Sequence, residues 1–62
     1  VPQYSYEEKR DAVMREVKYR KRVYERRVHE GSMSSDFADY QIGIMLAILD
    51  DYQKLVDKDR LL

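Results

Sequence analysis

Apolar positions recur at helical spacing through almost the whole chain, and no segment alternates with a period of two, so no strand signal competes with helix. From Ser5 to Glu30 there is neither glycine nor proline. Ser5 and Glu8 have the S-x-x-E spacing of a capping box, which predicts a helix start there, with Pro2 upstream where it costs nothing. Gly31 is placed to cap the end in the left-handed conformation, so the first helix is expected over about 6–30. Gly31-Ser32-Met33-Ser34-Ser35 is the single glycine- and serine-rich stretch and lies near the midpoint. A second helix is expected from about 35 to 59, with Gly43 inside it at a cost of about 1 kcal/mol relative to alanine. Two helices joined by the turn 31–34 make an antiparallel, all-α hairpin, read as one domain over residues 1–62.

At about 100° per residue, Tyr6, Val13, Val17, Tyr24 and Val28 fall in one stripe of the first helix. Phe37, Tyr40, Ile44, Ile48 and Leu55 form a stripe on the second. Folding at the glycine turn is expected to bring Val28 near Phe37, Tyr24 near Tyr40 and Val17 near Ile48. A second apolar face of the second helix, Ala38, Ile42, Met45, Leu49 and Val56, follows the spacing of a bundle seam. A smaller line, Ala12, Tyr19 and Val23, lies on the first. A lone hairpin would leave these in water, and an apolar strip of that size normally marks an interface. Ala38, Ile42, Met45, Leu49, Val56, Tyr19 and Val23 are therefore the expected dimer interface, and a four-helix bundle is the simplest result.

Length strengthens that expectation. A chain of 62 residues supports one small domain. Domains of this size usually need disulfides, a structural metal or self-association. Cysteine is absent, which removes the first and most zinc sites. No apolar run approaches the roughly 18 residues that a membrane span needs. The N-terminus shows no basic leader followed by a hydrophobic run, so no secretory signal is expected and a cytoplasmic setting is the default.

Formal net charge is zero, but the charge is divided. Residues 15–27 carry seven lysines and arginines against Glu16 and Glu25, whereas the half from Gly31 onward carries six aspartates against Lys54, Lys58 and Arg60. Arg15, Lys18, Arg22 and Arg26, spaced 3, 4 and 4, form one outward ridge that His29 extends. The ridge spans about 16 Å and is a candidate for binding a partner protein or a nucleic-acid backbone. A solvated helix face has the same composition, and zero net charge weighs against a dedicated nucleic-acid binder. Asp36, Asp39, Asp50 and Asp51 are expected to neutralise part of the basic helix. Arg20 and Asp51 interrupt the stripes and are expected to be partly buried and paired.

Chemistry has little foothold. His29 is the single histidine, and with Glu25 it supplies half a metal site at most. Asp50 and Asp51 are adjacent and point in different directions. The serines sit at the turn as caps, and there is no glycine-rich phosphate loop. No catalytic residue, cofactor, metal or small-molecule substrate is expected.

Residues 15–52, REVKYRKRVYERRVHEGSMSSDFADYQIGIMLAILDDY, carry a further pattern. Its elements are Arg22-Val23-Tyr24, the V-x-x-G-x-M-S run of Val28 to Ser34, and A-D-x-x-I-x-x-M-x-A-I-x-x-D-Y from Ala38 to Tyr52. The pattern resembles small uncharacterised helical-hairpin proteins encoded by phages and prophages of proteobacteria. Phe37 departs from it, standing where a small or charged residue is usual. The resemblance implies no assigned activity. It implies a viral accessory role in a bacterial cytoplasm, exerted on an unidentified host or phage protein, with nucleic-acid binding as the alternative.

Overall fold

In a computed structural model the chain forms two helices, α1 (Tyr6–Glu30) and α2 (Ser35–Arg60), packed side by side as a hairpin. The structure describes residues 3–61; Pro2 lies outside them. Each helix boundary has an identifiable cause. The Ser5 hydroxyl accepts from the Glu8 N–H at 3.0 Å, and the Ser5 N–H donates back to Glu8 Oε1 at 3.1 Å, closing the capping box. Gly31, at φ 82°, ends α1. Its N–H donates to the Val28 carbonyl at 3.1 Å while the Ser32 N–H reaches the Arg27 carbonyl at 2.9 Å, the two bonds of a Schellman motif. Ser34 then caps α2, accepting from the Phe37 N–H at 3.1 Å.

The core is a single seam. Val17, Ala38 and Val56 are its buried apolar residues, each less than a tenth exposed. Val13, Met14, Tyr24 and Val28 extend it on α1, and Ile42, Met45, Leu49 and Tyr52 on α2, all half-buried.

This corrects the predicted orientation of α2. The stripe Ala38, Ile42, Met45, Leu49 and Val56, expected to await a second copy, is the side of α2 that packs on α1. Phe37, Tyr40, Ile44 and Ile48, expected inside the hairpin, are exposed, and Leu55 is half-buried. Relative to expectation, α2 is turned about its axis by roughly 100°. The cause lies at the turn. Met33 precedes the Ser34 cap and Ala38 follows it by four, the N′ and N4 positions of a hydrophobic staple. Met33 is half-buried and Ala38 buried, the burial that a staple at the Ser34 cap and an Ala38 side turned toward α1 would give. The small Ala38 side chain also suits close approach beside the turn, where Phe37 would not.

Away from the turn the seam closes with polar groups. The Arg10 side chain is 13% exposed and meets Asp11 at 2.9 Å. Its Nη1 donates to Gln53 Oε1 at 3.2 Å, tying α1 to α2. Gln53 Nε2 in turn donates to Asp57 Oδ1 at 2.9 Å. Glu7 and Arg60 approach to 3.7 Å across the same end.

A hairpin of one helix layer leaves much surface uncovered. The Cα radius of gyration is 14.4 Å, against about 10.6 Å for a globule of this length. Accessible surface is 5128 Å², where a monomer of this mass averages about 4,200 Å².

Candidate functional site

Two surfaces remain without a partner inside the hairpin. The first is the basic ridge. Arg15, Lys18, Arg22 and Arg26 are all exposed, as is His29 beyond them. They lie roughly 100–180° around α1 from the buried Val17, on the side away from α2. Among the described residues, none of the four is in an ion pair within 4.0 Å. The expected neutralisation by α2 is therefore not found. Asp50 pairs within its own helix, with Lys54 at 2.9 Å, and Asp36, Asp39 and Asp51 pair with no cation among the described residues. The hydrogen bond and charge of Asp50 hold the Lys54 ammonium above its ordinary pKa. Arg20, expected to be partly buried and paired, is both: its side chain is about a third exposed and meets Glu16 on its own helix at 3.3 Å, whereas Asp51, of which the same was expected, is exposed. Arg10 is the more enclosed cation, its side chain 13% exposed. Its position on the stripe of Val13, Val17 and Tyr24 is the signal that would have found it.

The second surface is the displaced apolar stripe of α2. Phe37 is 51% exposed, Ile44 41% and Ile48 37%, with Tyr40 beside them. These residues lie about 100° around α2 from Ala38 and Val56, along one flank of the hairpin. Of the residues expected on α1 to meet a second copy, Ala12 and Tyr19 are exposed and Val23 is half-buried. At about 120–160° around α1 from Val17, all three lie toward its outer side. The expected interface thus divides. Tyr19 and Val23 stay exposed and half-buried on α1, whereas Ala38, Ile42, Met45, Leu49 and Val56 are used within the chain.

A shallow groove near the turn, lined by Tyr24, Val28, Ala38, Ile42 and Leu46 with Lys21 and Asp39 at its edges, completes the surface. It is an open cleft between the helices, and Glu25 and Ser35 also line it. Glu25 and His29 stay exposed on α1. Among the described residues no group of three or more histidines, cysteines or carboxylates is placed to hold a metal ion. Neither described helix is long and apolar enough to cross a membrane.

Compared with protein-family models, curated proteins and solved structures, the chain matches none.

Proposed function

We propose that this protein is a non-enzymatic accessory factor of phage or prophage origin. It acts in a bacterial host cytoplasm as a self-associating helical hairpin, and it modulates a host or phage protein by direct contact. The observation that carries the reading is the division of the surface. One flank holds an apolar stripe suited to self-association. The outer side of α1 holds four exposed cations, Arg15, Lys18, Arg22 and Arg26, that no carboxylate among the described residues neutralises. Such a ridge steers an acidic protein surface into contact, and binding of that kind weakens with salt. Zero net charge over the chain favours a protein partner over a nucleic-acid backbone, whose binders carry an excess of positive charge over the whole domain. The phage origin rests on the resemblance over residues 15–52.

Reversing all four charges to glutamate tests the reading. Each position is exposed, so the helices are expected to survive with unchanged circular dichroism. The wild-type protein should retain a nuclease-resistant, salt-sensitive complex with one protein, and the variant should lose it. Nucleic acid that co-purifies with wild type, leaves with salt, and is bound by the variant with a flatter salt slope would overturn the reading in favour of nucleic-acid binding. A variant indistinguishable from wild type in both assays would reduce the ridge to a solvated face.

A further inference from the structure

The exposed stripe of α2 has an internal symmetry. Its positions at bundle spacing are Phe37, Gln41, Ile44, Ile48, Asp51 and Leu55, with intervals 4, 3, 4, 3 and 4; Gln41 and Leu55 are half-buried and the other four exposed. That series reads the same in both directions. We infer that α2 carries a self-complementary seam on which a second copy of this chain docks, its α2 antiparallel to the first. A two-fold axis midway between Ile44 and Ile48 would relate the copies. The inference rests on the self-association proposed above and adds the face, the direction and the register.

A two-fold interface joins the same patch to itself, so residue i meets j and j meets i. In this register Phe37 meets Leu55 of the second copy, Ile44 meets its Ile48, and Gln41 meets its Asp51, each pair occurring twice. The polar pair is chemically matched, because the Gln41 amide donates and the Asp51 carboxylate accepts. Two such pairs flank four central isoleucines and resist slippage, the role polar residues serve at seam positions. The parallel alternative stacks Asp51 on Asp51, like charges at close range. The antiparallel one sets the two carboxylates ten residues, about 15 Å, apart along the helix.

Surface area agrees with one such interface. The hairpin exposes 5128 Å², about 900 Å² beyond the average for its mass. Each partner of a standard interface buries about 800 Å².

The chain has no cysteine, so single introduced thiols report the register directly. Phe37→Cys and Leu55→Cys proteins are mixed under mild oxidant and run on a non-reducing gel. The mixture should yield a disulfide-linked heterodimer, and each variant alone should stay largely uncrosslinked. In the antiparallel seam two copies of residue 37 lie 18 residues apart, about 27 Å, well beyond disulfide reach. Sedimentation equilibrium of wild type and of Ile44→Asp gives the independent readout. Wild type should weigh twice the 7.5 kDa chain mass. The variant should weigh one chain mass with its helical signal intact, since Ile44 is exposed in the hairpin.

A wild-type dimer in which Phe37→Cys crosslinks to itself, or in which no mixture crosslinks, would overturn the register and leave self-association standing. A dimer that Ile44→Asp does not dissociate would overturn the face. A folded monomer at tens of micromolar would overturn both and assign the stripe to a different protein.

Discussion

α2 bears two apolar stripes of similar strength. Ala38, Ile42, Met45, Leu49 and Val56 are turned toward α1, while Phe37, Ile44, Ile48 and Leu55 run along an open flank. Hydrophobicity does not separate them, since the open stripe holds the larger side chains. Met33 and Ala38 hold the N′ and N4 positions on either side of the Ser34 cap, and the small Ala38 is the buried residue beside the turn. A stripe is thus selected by where the chain comes from as well as by how much apolar area it offers.

The same charge placed on each side of α2 separates the two stripes. Val17 is 4% exposed, and Val17→Asp buries a carboxylate without a partner, at a cost of about 3 kcal/mol or more. A core of this size supplies only about 3–5 kcal/mol, so loss of the helical circular dichroism signal at 25 °C is expected. Ile48→Asp on the open stripe should keep that signal. Equal unfolding by both variants would erase the distinction between the stripes.

The two glycines refine it with opposite signs. Gly31 holds φ 82°, so Gly31→Ala should destabilise by about 1–2 kcal/mol in urea unfolding. At Gly43 nothing lies within 4 Å of an added Cβ, and Gly43→Ala should stabilise by about 1 kcal/mol through helix propensity. A smaller loss, about 1 kcal/mol, is expected when Ser34→Ala removes the cap that starts α2.

Helix boundaries were legible because caps are local chemistry. Ser5 with Glu8, Gly31, and Ser34 each act within a few residues of themselves. The rotation of α2 was not legible from periodicity, because two stripes about 100° apart satisfy the same helical period. Its signal was the pair Met33 and Ala38, a local feature with a non-local effect. The basic ridge was legible as a row of exposed cations. Its lack of carboxylate partners was not, because pairing depends on the side of α2 to which Asp36, Asp39 and Asp50 are carried. The Arg10 clasp was not legible, because its partner Gln53 lies 43 residues away and meets it only in the closed hairpin.

The smallest expected effect is electrostatic. Asp50 holds Lys54 protonated to higher pH than an isolated lysine. Stabilisation from this pair is fully present at neutral pH and is lost as pH rises through the raised value. Asp50→Asn should bring the Lys54 titration, followed by NMR, back down to the ordinary lysine range. The pair is solvent-exposed, so the thermal midpoint at neutral pH should hardly move.

The turn also sets the order in which the molecule closes. Val28 and Ala38 are ten residues apart in the chain, and a loop of that length closes in about 10–100 ns. Arg10 and Gln53 are separated by 43, so their bond must wait until the helices have zipped outward from Gly31. Interactions that form after the barrier slow opening more than they speed closing. Substitutions at the turn are accordingly expected to slow closing, and loss of the polar clasp of Arg10, Asp11 and Gln53 to speed opening.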